Sequence, residues 1–176
     1  IMNQKNSKHI LSIMVDNEPG VLARVVGLFS GRGYNIESLS VSEVDSHKFL
    51  SRITIVTSGK KIIIDQIKAQ LGKLIPVHNL VDISELKSFI GKELILIKLN
   101  VKNKSTFDFK KKLESIGVKI IFEDGIELII QFTGSPNEIV KIEKILKPFK
   151  IIEQTRSGLV SMATGTEYIK NRKGKR

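Results

Sequence analysis

The residues best suited to bind a small molecule lie in the loop Asp16-Asn17-Glu18-Pro19-Gly20-Val21, where a β-rich stretch gives way to a helical one. The first N–H groups of a helix have no partner within it and lie at the positive end of its dipole, so they suit a carboxylate. Gly20 lets a ligand approach the backbone closely, and the Asn17 amide can donate or accept hydrogen bonds. This pattern predicts a site for a zwitterion, with Asn17, Gly20 and Val21 as its contacts.

A second polar segment follows at Arg32-Gly33-Tyr34-Asn35-Ile36-Glu37-Ser38-Leu39. Its apolar alternation breaks at Ile36–Leu39, which predicts a bulge where a strand begins. Asn35 and Glu37 are polar groups in a segment that we expect to face a second copy of the chain. On the residues alone, both segments also fit an ordinary helix start and strand entry, so the two interpretations stay open at this point.

The sequence contains no recognisable catalytic set. His9, His47 and His78 are the only histidines, none has a second ligand at metal-binding spacing, and we interpret them as unrelated surface or rim residues. The absence of cysteine excludes thiolate catalysis, disulfides and Cys-based zinc sites. The acidic pair Glu123-Asp124 fits a solvated turn, and no Gly-x-Ser-x-Gly motif occurs. We therefore expect no catalytic residue, no metal site and no cofactor on this chain.

The elements that position the two segments follow from the apolar periodicity of the first half. Strands are predicted over residues 9–15, 35–44, 49–57 and 77–83, and helices over 21–29 and 63–74. Pro19 is predicted as the first helical residue and Gly33 as a left-handed helix cap. The order βαββαβ is typical of a ferredoxin-like fold, with two helices on one face of a four-stranded antiparallel sheet. The other sheet face needs a cover, which we expect dimerisation to supply.

The second half repeats the same order. Strands are predicted over residues 93–101, 118–122, 126–132 and 149–154, and helices over 105–116 and from 135 onward. Asp124-Gly125 is a hairpin-turn signal, and Ser135 and Pro136 suit a helix cap and first position. After Ser157 the periodicity ends. We therefore predict an α+β protein of two ferredoxin-like βαββαβ domains, residues 9–84 and 93–168, joined by a linker at 85–92 and followed by a basic tail at 169–176.

The net charge of +11 is a weak indicator of nucleic-acid binding. Lysine is scattered through both halves, with dense patches only at Lys110-Lys111-Lys112 and in the tail, and its joint enrichment with Ile and Asn is typical of an AT-rich genome. An acidic protein partner stays open. No apolar run approaches the roughly 18–20 residues that span a bilayer, and residues 1–9 lack the apolar core of a signal peptide. We expect a soluble intracellular protein with neither nucleic acid nor membrane as partner.

Several segments together resemble one family, the acetolactate synthase (acetohydroxyacid synthase) small regulatory subunit with its N-terminal ACT domain. The string Arg32–Leu39 is the most specific of them. The other matching segments are Leu11–Val25, Gly27-Leu28-Phe29, Leu50–Ile55, Gln66-Ile67, Gln70-Leu71, Lys73-Leu74 and Arg156-Ser157-Gly158. The similarity extends over about residues 8–168 and favours the ligand interpretation of the loop.

The resemblance implies a subunit that is not catalytic by itself. It would bind the large catalytic subunit, raise its activity and confer feedback inhibition by valine in branched-chain amino-acid biosynthesis. Thiamine diphosphate, Mg²⁺ and FAD would belong to the catalytic partner. The chain would form a homodimer through its ACT domains, with Asn17, Gly20 and Val21 of one copy facing Asn35 and Ile36 of the other. Its place would be the bacterial cytoplasm or the stroma of a plastid that encodes it.

Three other interpretations have less support. A sensor for another amino-acid enzyme would share the ACT domain, but Arg156-Ser157-Gly158 and the second βαββαβ half argue against it. A basic ferredoxin-like RNA-binding protein would display aromatic side chains on its central strands, and the predicted strand 35–44 has none. An enzyme with a ferredoxin-like core would need convergent acid, base or nucleophile groups, and the sequence shows none.

Overall fold

The computed structural model of the chain describes residues 6–101 and 106–165. These residues form two compact units. The first unit contains the described residues up to Ile90 together with those from Leu159 onward, and the second contains Gly91–Gly158. Each unit is a sheet with helices, which confirms the predicted α+β class. None of the described helices is long and apolar enough to cross a membrane.

The first unit has the predicted order of elements. These are β1 (Ser7–Asp16), α1 (Val21–Ser30), β2 (Ser38–Asp45), β3 (Leu50–Gly59), α2 (Lys61–Leu71) and β4 (Val77–Asp82), followed by a 3-10 turn at Ile83–Glu85. The strands pair antiparallel in the order β2-β3-β1-β4, so β2 and β4 are the edges of this sheet.

The core of this unit is formed by every second residue of the strands and by one apolar face of each helix. Leu11, Ile13 and Val15 of β1 are at most 2% exposed and belong to one apolar cluster with both helices. The helix residues in that cluster are Val21, Val25, Phe29, Ile64, Ile67 and Leu71. Full burial of such a side chain contributes about 1.5–3 kcal/mol, and this burial holds the end of β1 and the start of α1 in place.

The second unit repeats the topology with its own core. Its elements are β5 (Phe89–Asn100), α3 (Thr106–Ser115), β6 (Lys119–Asp124), β7 (Glu127–Gly134), α4 (Pro136–Leu146) and β8 (Lys150–Arg156). The strands pair antiparallel in the order β6-β7-β5-β8. Ile95, Ile97 and Leu99 of β5 face the helices, and the rings of Phe109 and Phe149 stack with centroids 3.9 Å apart.

The start of α4 confirms the predicted cap. The Ser135 hydroxyl accepts from the Glu138 N–H at 3.3 Å, and the Glu138 carboxylate accepts from the Ser135 N–H at 2.6 Å. This reciprocal pair is a capping box, and Pro136 occupies the first turn. The bond from the Ser135 N–H lowers the pKa of Glu138 to about 2. The hairpin at Gly125, with φ 54°, is confirmed in the same way.

After β8 the chain returns to the first unit, where the sequence predicted no structure. Leu159 is buried at 3% exposure in a cluster with Ile10, Val56 and Ile83. The strand that follows Leu159, β9 (Val160–Ala163), pairs with β5. The first two residues of β5, Phe89 and Ile90, belong to the first unit. Ile10 and Val56 do not belong to the helix-side core of this unit. The cover that was expected from dimerisation is therefore supplied there, in part, by the chain's own residues.

Other sequence-based predictions differ from the structure. The first helix begins at Val21 with Gly20 as its cap, so Pro19 lies before the helix and the prediction for it was wrong. Strand β2 begins at Ser38, and its register shift lies between Glu43 and Asp45 instead of near Ile36. The predicted linker at 85–92 includes the start of β5. The basic tail lies outside the described residues, and the predicted domain limits stay predictions.

Candidate functional site

The loop after β1 is held by backbone hydrogen bonds to two neighbouring turns. The Asp16 N–H donates to the Pro76 carbonyl at 2.9 Å, and the Asn17 N–H donates to the Phe49 carbonyl at 2.6 Å. Phe49 is the non-glycine residue with positive φ, at 50°, in the described chain. The loop backbone is thus fixed at its first two residues, while the Asn17 side chain is exposed to solvent.

Gly20 provides the turn from the loop into α1. Its φ is 82°, in the left-handed region, and no side chain caps the helix there. A Cβ on Gly20 would meet nothing within 4 Å, so the constraint on this position is the backbone conformation and not lack of space. Glycine adopts this conformation without the steric cost that other residues incur.

The helix start has N–H groups available for an acceptor. The Val21 N–H donates to the Glu18 carbonyl at 3.3 Å, which is longer than a normal N–H···O bond. The first full helical bond runs from the Arg24 N–H to the Gly20 carbonyl at 3.0 Å. No acidic side chain lies in the first turn. A carboxylate can therefore replace the long Val21 bond at the positive end of the helix dipole.

The predicted site residues form two groups, here called walls: Asn17, Gly20 and Val21 are the first wall, and Asn35 and Ile36 are the second. The second wall lies just before β2. The Asn35 carbonyl accepts from the Thr57 hydroxyl at 2.8 Å, and the Glu37 N–H donates to the Val56 carbonyl at 2.8 Å. The Asn35 side chain is exposed, and Ile36 packs partly buried against the core. This segment is therefore tied to the last residues of β3 while the Asn35 amide stays available.

Glu37 is the charged group nearest to this wall. The hydroxyl of Ser58 donates to the Glu37 carboxylate and lowers the pKa of that carboxyl. Partial burial raises this pKa, and the Lys8 ammonium, 3.3 Å away, lowers it, so that the net change is downward. Glu37 is consequently an anion at neutral pH.

The two walls are far apart within one chain. Asn17 contacts the start of β3, where Asp16 pairs with Leu50, and Asn35 contacts its end at Thr57. Seven residues separate those positions, or about 23 Å at 3.3 Å per residue. The structure thus brings Asn17, Gly20 and Val21 together at one end of the sheet and places Asn35 and Ile36 at the other. The site assignment as a whole stays a prediction.

The sequence interpretation missed a buried polar cluster at the other end of β1. His9 and Asp82 are 5% and 4% exposed, and the His9 Nδ1 lies 2.7 Å from Asp82 Oδ2. The interpretation of His9 as an unrelated surface or rim residue was therefore wrong, because His9 is buried and paired with Asp82. His9 shares the alternating face of Leu11 and Ile13, a signal that predicts burial and hence the need for a polar partner.

This cluster has metal-ligating atoms, but a lysine supplies the positive charge. Atoms of His9, Asp82 and Glu85 lie within 4.8 Å of one another. The Lys68 ammonium lies 3.0 Å from Glu85 and 4.0 Å from Asp82. Lys61, at 2.8 Å from Glu85, and Lys68 both lower the pKa of that carboxyl. The cluster is accordingly an ion-pair network that joins β1, α2 and the 3-10 turn.

The fold and the loop define the class of the protein, an ACT-type regulatory domain followed by a second domain of the same topology. A family model described as the AHAS small subunit-like ACT domain matches residues 11–79, and another described as the small subunit of acetolactate synthase matches residues 92–165. The chain belongs to the acetolactate synthase small-subunit family, as the resemblance indicated.

Relatives and a solved structure support that assignment along most of the chain. The acetolactate synthase small subunit of Buchnera aphidicola subsp. Schizaphis graminum is 38% identical over 159 residues, 90% of this chain and 99% of its own. The acetolactate synthase small subunit of Mycolicibacterium smegmatis is 37% identical over 168 residues, which are 96% of this chain and 98% of its own. The crystal structure of the acetolactate synthase small subunit from Thermotoga maritima matches with a TM-score of 0.81 and 31% sequence identity. The match covers 92% of this chain and 99% of the Thermotoga maritima chain. This family is regulatory and not catalytic by itself, and it implies a large catalytic subunit as partner.

Proposed function

We propose that this chain is the valine sensor of an acetolactate synthase, which activates the catalytic subunit and confers feedback inhibition on it. The observation that carries the proposal is the glycine-capped start of α1, reached through a loop whose Asn17 is exposed, in a family of regulatory subunits. Thiamine diphosphate, Mg²⁺ and FAD are expected on the catalytic partner. Because the relatives come from bacteria, we place the chain in a bacterial cytoplasm, with a plastid stroma as the alternative.

A homodimer through β2 would complete the site. Strand β2 is a sheet edge, and its apolar residues Leu39, Val41 and Val44 are 36%, 43% and 48% exposed. If two such edges pair antiparallel, the beginning of one β2 lies beside the end of the other. The Asn35 end of one chain then approaches the Asn17 end of its partner, since the hairpin after β2 contacts Asn17.

In this arrangement each part of valine has a matching group. The Gly20 and Val21 N–H groups would bind the carboxylate, and the amide oxygens of Asn17 and Asn35 would accept from the ammonium. Ile36 would pack against the aliphatic side chain. Leucine and isoleucine differ from valine by one methylene, worth about 1–3 kcal/mol in such a pocket, so valine selectivity depends on how closely Ile36 approaches.

Calorimetry on the full chain tests the proposal. We expect heat of binding with millimolar valine for the wild type, and at least 10-fold weaker binding for Asn17→Ala because one polar contact of a charged group is lost. Asn137→Ala, on the exposed first turn of α4, is the matched control and should bind normally.

The same variants are then assayed with the catalytic subunit. Asn17→Ala should still activate it but should resist valine. Absence of heat with valine, leucine and isoleucine would refute the sensor function. Loss of activation and inhibition together in Asn17→Ala would instead assign the loop to contact with the catalytic partner.

A further inference from the structure

The segment from Arg156 to Thr164, here called the C-terminal strap, is anchored first in the second unit. The Ser157 N–H donates to the Leu94 carbonyl at 2.9 Å, and the Leu94 N–H donates to the Ser157 hydroxyl at 2.9 Å. Arg156 pairs through its Nε with Glu93, which is 7% exposed. A buried carboxylate is strongly destabilising without its partner, so this end of the strap is firmly held.

The next anchor of the strap lies in the first unit. The Leu159 side chain is buried against Ile10, Val56 and Ile83, and its N–H donates to the Ser38 hydroxyl at 3.0 Å. Only Gly158 separates this anchor from Ser157. Consecutive Cα atoms are about 3.8 Å apart, so a tether of one residue cannot absorb a displacement of either anchor by slack.

The Leu159 anchor shares its contacts with the predicted second wall of the effector site. Ser38 follows Glu37 directly, and the Glu37 N–H donates to the carbonyl of Val56, the residue against which Leu159 packs. The Thr57 hydroxyl, one residue further, holds the Asn35 carbonyl. Any shift of residues 35–37 therefore acts on the two residues, Ser38 and Val56, that seat Leu159.

The strap itself carries an unsatisfied buried polar group. Within the described residues, the buried hydroxyl of Ser161 has no hydrogen-bond partner. A buried polar group without a partner is destabilising. Val160 and Met162 are 62% and 64% exposed, so they add little burial. Leu159 is accordingly the main apolar anchor, and a small change beneath it can alter the seating.

We propose that the C-terminal strap relays effector occupancy from the wall at Asn35–Glu37 to the second unit, with Leu159 and Ser38 as the positioning residues. This inference rests on the proposed valine-sensing function. It assigns a role to Arg156-Ser157-Gly158, one of the segments that resemble the family, whose residues are not among those predicted for the effector site. A relay of this kind requires a short connection, because coupling is carried by an element that both sites bias.

Lengthening the tether tests the relay while both anchors stay intact. The variant carries Gly-Ser-Gly inserted between Gly158 and Leu159, and the control carries the same insertion in the exposed turn between Asp124 and Gly125. Valine binding to the chain alone, activation of the catalytic subunit and its inhibition by valine are measured for both. Couplings between sites are typically about 5–150-fold. We expect the tether variant to bind valine and activate normally but to need at least 10-fold more valine for half inhibition.

Two point variants test the relay independently of the insertion. Ser38→Ala removes one hydrogen bond to the strap and should shift inhibition in the same direction, whereas Met162→Ala, on the exposed side of the strap, should not. Should the tether variant fail to fold, Ser38→Ala against Met162→Ala decides alone.

The outcomes of these experiments distinguish a failure of the relay from a failure of the proposed function. Normal inhibition in the tether variant would overturn the relay and leave the sensor intact. Loss of activation with valine still bound would assign the strap to partner binding and also overturn it. A wild-type chain that neither binds valine nor confers inhibition would overturn both.

Discussion

At the scale of single residues, Gly20 shows how backbone conformation selects an amino acid. Its positive φ lets the chain leave β1 and enter α1 within a four-residue loop, and no side chain is needed to cap the helix. The Val21 N–H that follows Gly20 makes only a long bond, 3.3 Å, to the Glu18 carbonyl. The glycine that this backbone conformation favours is therefore also the predicted site residue whose small size would let an anion approach the helix start.

Gly20→Ala should destabilise the protein by about 1 kcal/mol, because alanine is strained at positive φ. Gly27→Ala is the matched control in the same helix. A Cβ at Gly27 meets nothing within 4 Å, so alanine should stabilise the helix by about 0.5–1 kcal/mol. Chemical denaturation gives both values, and a change of the same sign in the two variants would contradict the conformational explanation.

The sequence predicted some of these residue roles and not others. The positive φ of Gly33, 68°, and the Ser135 cap follow from local preferences that a few neighbouring residues determine. The helix cap predicted at Gly33 was wrong in its position, because α1 ends at Ser30 and its C-cap is Gly31. The His9–Asp82 pair does not, because its partners are 73 residues apart and meet only when β4 pairs with β1. Local patterns could place His9 on a buried face, but they could not name its partner.

At the scale of elements, α4 depends on the charge of Glu138. The folded-state pKa of this exposed carboxyl is about 2, below its ordinary value of 4.5, chiefly because it accepts from the Ser135 N–H. A group with a depressed pKa stabilises the fold above the unfolded value, and that contribution disappears as pH falls through the folded value. Its pH window is therefore 4.5 down to about 2.

Glu138→Gln should lower the unfolding midpoint by a constant amount above about pH 5, and this difference should shrink between about pH 4.5 and 2. Lys92, 3.1 Å from Glu138, contributes to the same charge effect. Thermal unfolding of both proteins across that range gives the measurement, with Glu114→Gln on the exposed surface of α3 as the control. A difference that stays constant down to low pH would show that the loss of stability in Glu138→Gln does not come from the charge of Glu138.

Elements with clear periodicity were predicted within a few residues, whereas β9 was not predicted at all. Its four residues carry no period long enough to recognise, and its neighbour Leu159 is buried only because residues from β1 and β3 surround it. The start of β2 was misplaced for a related reason. Residues 35–37 have strand-like composition, but the Glu37 N–H and the Asn35 carbonyl are bonded to β3 outside the regular ladder.

At the scale of the whole molecule, the proposed effector site depends on assembly. One copy of the chain holds Asn17 and Asn35 at opposite ends of β3, so a single copy cannot surround a ligand with both. The sequence predicted the two walls and the doubling of βαββαβ, since both are local patterns. It could not provide the distance between the walls, which depends on strand pairing.

Val41→Lys should convert the proposed dimer to a monomer, because a charge on an edge strand opposes pairing with another edge. Sedimentation should show twice the 19.7 kDa chain mass for the wild type and the chain mass itself for the variant. Val140→Lys on α4 is matched in substitution and in its 43% exposure. A dimer that persists in Val41→Lys, or dissociates equally in Val140→Lys, would exclude the β2 edge. Valine binding should be lost together with the dimer.

The return of Leu159 to the first unit also sets the order in which the protein can be completed during synthesis. Ile10, Val56 and Ile83 leave the ribosome well before the leucine that covers them. At about 5–20 residues per second, the chain between Ile90 and Leu159 takes roughly 3–14 s to translate. For those seconds the nascent chain exposes an apolar surface that chaperones can bind. The first unit is completed only after the second has been synthesised, so a truncated chain lacks the leucine that covers this surface.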